Sequence, residues 1–307
     1  MAKKTISIKK SVIKRNLHQL EFNLIRPLEN DRNHELGGRS FYFFDFDDNV
    51  AYLSTPIIVF HKTTGEEKHI SSNEFAQNSK YIGRLGVYKD YFLSFDDERG
   101  SFRNFRDKSF GLLDKIIRKK QIFLQDFAKA LSGPELLWKA PSWQYFYYAI
   151  YNRRPISIIT ARGHDKLTIQ DGMKLLKAHG HIPYLPNFLN IYPVSNYQTR
   201  IELGDKSLQA TVPQLKRVAI RKSVEEAIET YGHNPHHRFG MSDDDPSNIE
   251  MITEEMKALK QDYPEMSFFV IQTFSDKIEK REILTQQRPI KKRVKTISSG
   301  QQLDLFK

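Results

Sequence analysis

Apolar residues are distributed along the chain in short unbroken runs and in longer stretches where they recur every three or four positions. Phe41-Tyr42-Phe43-Phe44 has no polar interruption, which predicts a strand buried on both faces, as in a parallel sheet. Comparable runs follow at Ile156-Ser157-Ile158-Ile159, Phe188-Leu189-Asn190-Ile191-Tyr192, Arg238-Phe239-Gly240-Met241 and Met266-Ser267-Phe268-Phe269-Val270-Ile271. Helical stripes lie between them: Trp143 to Tyr151, about 166 to 179, and Ser223 to Tyr231, where Ser223 and Glu226 fit a capping box. A last helix opens on Pro246, which suits a first turn, and runs through Met256 and Leu259. Alternation of strand, helix and strand predicts an α/β fold with a Rossmann-like parallel sheet.

The alternation is interrupted between the first and second strands. Thr55 to Lys62 and Glu67 to Ser71 flank Thr63-Thr64-Gly65-Glu66 and read as a hairpin, placed like a flap. Residues 72 to about 135 hold a charged, aromatic stretch and a helical pattern from Leu112 to Leu131 that stops at Ser132-Gly133-Pro134. The expected organisation is a basic lead-in element over 1–39, a main core over 40–283 with a flap and cap inserted at about 55–140, and a basic tail over 284–307. Ile6, Ile8 and Val12 give the lead-in roughly strand-like spacing, which suits an element packed on the core or a basic arm.

Charge narrows the choice of partner. There are 48 Lys and Arg against 37 Asp and Glu, a net charge of +11, which favours polyanions or phosphorylated substrates. The absence of cysteine excludes disulfides, thiolate nucleophiles and Cys-ligated zinc. No apolar run is long enough to span a bilayer and none follows the basic Met1-Ala2-Lys3-Lys4, so a soluble, cytoplasmic protein without membrane contact is expected. His233, His236 and His237 read as a polar loop in preference to a zinc site.

The strand ends carry the candidate chemistry. The first strand runs into Asp45 and Asp47, the second into Thr160, and the fourth into Asp243 and Asp244. A lysine stands before the helix expected at Ser223: Lys222 abuts the capping residue, and Lys216 is the alternative. In open α/β sheets ligands bind beyond the carboxyl ends of the strands, so these side chains would share one crevice. This ordered set resembles the four motifs of the haloacid dehalogenase superfamily. The resemblance implies an aspartyl-phosphate on Asp45, general acid and base work by Asp47, a hydrogen bond from Thr160 to the phosphoryl oxygens, and positive charge from Lys222. It also implies Mg²⁺ held by Asp45, the Asp47 backbone carbonyl and the last acidic cluster, in which Asp243, or Asp244 with Asn248, fits the pattern. An Asp at position 47 points within that superfamily to a phosphatase or phosphomutase. Departures are Asp48, where Gly is common, and Asn49, where Thr or Val is usual. Ala161 and Arg162, with Arg103 and Arg106 of the insertion, are the candidate substrate contacts; the insertion's arginines also read as a solvated basic face.

The tail ends in Gln302-Leu303-Asp304-Leu305-Phe306 after a basic, Ser/Gly-terminated stretch with the composition of a linker. This segment resembles the pentapeptide by which bacterial repair and replication proteins dock on the sliding clamp, with Leu303, Leu305 and Phe306 filling a pocket and Gln302 at its rim. Folding back onto this chain's own surface is the competing expectation. The expected function is a Mg²⁺-dependent phosphatase acting on phosphomonoesters, with nucleic-acid or nucleotide phosphates the leading substrate class and DNA a candidate partner. Two alternatives stand beside it: a clamp-tethered nucleic-acid-binding protein with a decayed site, and a sugar or metabolite phosphatase.

Overall fold

The computed structural model describes residues 6–14, 27–112, 114, 119–274 and 277–285. Its centre is a sheet of seven strands, β1 (Ile6–Lys14), β2 (Ser40–Phe44), β6 (Pro155–Thr160), β7 (Asn187–Pro193), β8 (Arg238–Asp243), β9 (Ser267–Thr273) and β10 (Lys277–Thr285), in the order β1-β10-β9-β8-β2-β6-β7. The five strands from β9 to β7 are mutually parallel, and β10 and β1 extend the sheet by antiparallel pairing. The aromatic run of β2 is buried throughout because strands flank it on both sides and packed layers cover both its faces. Tyr42 and Phe44 enter one apolar layer, Phe41 and Phe43 the other, as alternation along a strand requires.

Between β2 and β6 lies a smaller antiparallel sheet of β3 (Ile57–His61), β4 (Glu67–Ile70) and β5 (Tyr91–Phe92), with α1 (Ser72–Asn78) between β4 and β5. It has its own apolar centre in Ile57, Val59, Ile70 and Tyr88. The inserted segment is not a single body: α2 (Ile122–Leu131), expected within the cap, puts Phe123 and Phe127 into the main core beside Phe46, Ile169 and Met173. Gly172 makes that packing possible, since a Cβ there would lie 2.7 Å from the Phe123 ring.

The remaining helices are α3 (Glu135–Trp138), α4 (Trp143–Tyr151), α5 (Lys166–Ala178), α6 (Tyr197–Glu202), α7 (Val212–Tyr231) and α8 (Pro246–Asp262). Helices α4 and α5 cover the layer under Tyr42 and Phe44, while α7 and α8 cover the opposite one. The chain therefore leaves β2 in one direction for β6 and β7 and returns to its other side for β8 and β9. Such a reversal of strand order opens a crevice at the carboxyl ends of the two strands where it occurs, here β2 and β8.

One boundary differs from expectation, with consequences for the site. Helix α7 begins at Val212, eleven residues before Ser223: Thr211 caps it, with Gln214 returning the bond in a capping box and Pro213 in the first turn. Ser223 lies in mid-helix and is buried. Polar residues before Ser223 hide the helical stripe, because Lys216, Arg217, Arg221 and Lys222 interleave with Leu215, Ala219 and Ile220.

Candidate active site

Asp45 follows β2 and Asp243 ends β8, so the crevice between these strands opens on two carboxylates. Lys216 lies between them: its Nζ is 2.9 Å from Asp45 Oδ1 and 2.9 Å from Asp243 Oδ2, and the residue is 1 % exposed. Helical side chains lean toward the helix N-terminus, so a lysine in the second turn of α7 reaches back to the strand ends. Burial by itself lowers the pKa of the ammonium, but the Asp243 and Asp45 carboxylates outweigh it and hold the group charged, with its pKa above the usual lysine value.

Lys222 is not in this cluster. Six residues turn a helix by about 600° and advance it by about 9 Å, which carries Lys222 to another face of α7. Its Nζ instead donates to the Glu202 carbonyl at 2.9 Å. The cap expected at Ser223 put the helix start in the wrong place, and Lys216, the alternative, is the lysine that reaches the strand ends.

Both candidates for the last acidic motif are present. Asp243 is fully buried, with Oδ1 accepting the Asp245 N–H at 3.0 Å and the Asn248 amide at 3.1 Å. Asn248 thus orients Asp243 from the first turn of α8. Asp244 is partly exposed and joins Asp45 and Asp243 in a group in which one carboxylate oxygen from each lies within 4.8 Å of the others. Burial pushes Asp244 up to about 9, with Asp45 and Asp243 adding to it. Asp45 is pushed up to about 8 by burial, drawn down by Lys216, and raised again by Asp243 and Asp47. Three oxygen donors crowded into a buried crevice suit a hard divalent cation, which would relieve their repulsion.

Asp47 and Arg162 form a second unit. Arg162 donates from Nε to Asp47 Oδ2 at 2.8 Å and from Nη2 to Asp47 Oδ1 at 2.6 Å. Its guanidinium lies between the rings of Phe105 and Phe123, 4.9 and 4.8 Å from their centroids, and also donates to Thr55 Oγ1 at 3.2 Å. Arg162, expected to face substrate, is therefore occupied in fixing Asp47. Thr160 is buried at the end of β6, its Oγ1 accepting the Arg162 N–H at 3.3 Å. Ala161 is exposed between them. Arg106 donates to the Ser195 carbonyl at 3.1 Å and pairs with Asp97, beside the β6 and β7 ends. Arg103 lies apart from the crevice cluster, paired at 2.6 Å with Glu67 on β4 of the small sheet.

Comparison of the chain with protein-family models, with curated proteins and with solved structures finds no match in any of the three.

The sequence reading missed the polar hub behind the carboxylates. Asn49 is fully buried; its Nδ2 donates to the carbonyls of Asp45 and Ser242, both at 3.0 Å. Its Oδ1 accepts from Ser142 at 2.9 Å, Ser242 at 3.1 Å and Thr273 at 2.9 Å. One amide thus ties together β2, β8, β9 and the residue before α4. Asn49 itself, a polar side chain just after the buried strand, was the one local signal; Thr273 lies 224 residues away and gave none. Asp48 has φ of 56°, a left-handed conformation that Asp tolerates better than most residues with a side chain. The histidine loop is structural: His237 accepts the Arg39 N–H at Nδ1, so Nε2 carries the proton donated to the Gly232 carbonyl. No helix among the described residues is long and apolar enough to cross a membrane.

Proposed function

We propose that this chain is a Mg²⁺-dependent phosphatase of the haloacid dehalogenase type, hydrolysing phosphomonoesters through an aspartyl-phosphate on Asp45, with the small sheet as part of its cap. The observation that carries this reading is the Asp45–Lys216–Asp243 cluster at the crevice where strand order reverses, with Asp244 in the same carboxylate group. An anionic phosphate ester repels a carboxylate nucleophile, and a buried ammonium between two carboxylates offsets that repulsion. Asp45, Asp243 and Asp244 would hold the metal, which supplies further charge neutralisation when bound.

In the first step an Asp45 oxygen attacks phosphorus, the bond to the leaving oxygen breaks, and Asp47, having taken up a proton from solvent, passes it to that oxygen. Lys216 holds Asp45 by Oδ1, and among the described residues Oδ2 has no hydrogen-bond partner. Water then attacks the phosphoryl group, Asp47 takes its proton, and the bond to Asp45 breaks to release phosphate. Arg162 donates to both Asp47 oxygens and so favours the carboxylate, the form that takes the proton from water; Asp47 gives up part of this pairing when it carries a proton to the leaving oxygen. Thr160 is the expected donor to a phosphoryl oxygen.

The test is phosphate release from a panel of sugar phosphates, nucleotides and terminally phosphorylated oligonucleotides. Asp45→Asn and Lys216→Met should each lower kcat/KM by several orders of magnitude, whereas Lys222→Met should stay within about threefold of wild type. Asp45→Asn activity within tenfold of wild type would remove the nucleophile from the scheme.

A further inference from the structure

A cleft of about 330 Å³ lies by the residues that follow β6 and β7, lined by Phe95, Phe102 and Tyr197 with Asp97, Arg106 and Arg200. That volume is at the lower end for small-ligand sites, enough for one ring system and its surroundings. The cleft is joined to the active-site residues by short steps. Arg106 holds the Ser195 carbonyl, the Ser195 N–H donates to the Arg162 carbonyl at 3.2 Å, and Arg162 grips Asp47. On the other wall the Phe102 ring meets Phe105, which lies against the Arg162 guanidinium.

The chemistry of the lining selects its occupant. Phe95 stacks on Phe102 with centroids 5.9 Å apart and planes 27° from parallel, yet Phe95 remains 77 % exposed. Tyr197 is 56 % exposed. Both cations are spent: Arg106 is paired with Asp97 and Arg200 with Asp205 at 2.6 Å. The cleft therefore has little spare positive charge for a second phosphate, and the Asp97 carboxylate offers acceptors to ring N–H or amino groups. Exposed aromatic faces with polar acceptors at their rim suit a planar, uncharged heterocycle.

Building on the phosphatase reading above, we infer that this cleft stacks the terminal base of a phosphorylated nucleic-acid strand whose phosphate is placed at Asp45. A strand end fits better than a free nucleotide because Phe95 and Tyr197 leave the cleft open to solvent, with room for the chain to continue, and the net charge of +11 suits a polyanion.

The experiment compares a terminally phosphorylated oligonucleotide, the same strand with an abasic terminal residue, the matching free nucleoside monophosphate, and glycerol phosphate. Wild-type protein should favour the base-bearing end over the abasic end by about fivefold to a hundredfold in kcat/KM, the range expected for one stacked base. Phe95→Ala and Phe95→Leu should erase that preference, and Phe95→Trp, which restores a π face, should keep it. Equal handling of base-bearing and abasic ends by wild type, or an equal loss on both in Phe95→Ala, overturns the base site; a preference for the free nucleotide overturns the strand end. If glycerol phosphate and all other esters go unhydrolysed, the phosphatase reading fails by itself. Binding of the labelled strands, followed by fluorescence anisotropy with Asp45→Asn protein and its Phe95→Ala derivative, then still decides the cleft.

Discussion

Asn49 shows how much one side chain can determine. It donates to two main-chain carbonyls and accepts from three hydroxyls, all inside the molecule, so its amide is the common partner of groups with no access to water. Each buried polar group left without a partner costs roughly 1–3 kcal/mol, and some of these hydroxyls can re-pair with one another. Asn49→Ala should therefore destabilise the fold by about 3 kcal/mol in denaturant unfolding and, by releasing the strand end that carries Asp45, lower kcat more than it raises KM. A loss below about 0.5 kcal/mol would mean that the hub is dispensable. Asn49→Asp should not rescue it, because a carboxylate cannot donate to the Asp45 and Ser242 carbonyls.

At the scale of elements, the outer pair of strands adds a pH-dependent contribution. Strand β1 pairs with β10 over nine residues, and Glu279 on β10 receives Lys10 of β1 at 2.6 Å as well as Lys277 at 3.1 Å. The Lys10 hydrogen bond, against the opposing effect of burial, lowers the Glu279 carboxyl to about 2. An unfolded glutamate titrates near 4.3, so the folded state binds the proton less tightly than the unfolded one. The stabilisation is thus complete above about pH 5, declines as pH falls from about 4.3 toward 2, and vanishes below that. Glu279→Gln should be less stable than wild type at pH 7, and the gap should shrink from about pH 4.3 downward and close below about pH 2 in unfolding experiments at matched ionic strength. A difference that stays constant from pH 7 to pH 2 would show that Glu279 acts through packing alone. None of this was visible in the sequence, where β10 lay beyond the last expected strand and the lead-in residues admitted either a packed element or a free arm.

At the scale of the whole molecule, the clamp-like segment Gln302, Leu303, Asp304, Leu305 and Phe306 lies outside the described residues. We propose that it docks on a bacterial sliding clamp and thereby places the enzyme near DNA, motivated by three large apolar side chains after a basic, Ser/Gly-terminated stretch. A synthetic peptide of residues 300–307 should bind the clamp alone, and Leu305→Ala with Phe306→Ala should remove that binding while leaving thermal stability unchanged. Loss of stability in that double variant, together with no peptide binding, would assign the tail to this fold. For the described part of the chain, local information was enough to establish a parallel α/β sheet and to place Asp45, Thr160 and Asp243 at strand ends. An unbroken apolar run that ends in a polar side chain reports burial and then exposure within a few residues. The lysine needed more, since which side chain of a helix reaches a strand end depends on where the helix starts, and the Thr211 cap lay hidden among polar residues. The Asn49 hub, the Arg162 grip on Asp47 and the aromatic cleft join residues that are distant along the chain. Their hydrogen bonds and ring contacts form only once the sheet has put strands β2, β6, β8 and β9 side by side, which no short stretch of sequence encodes.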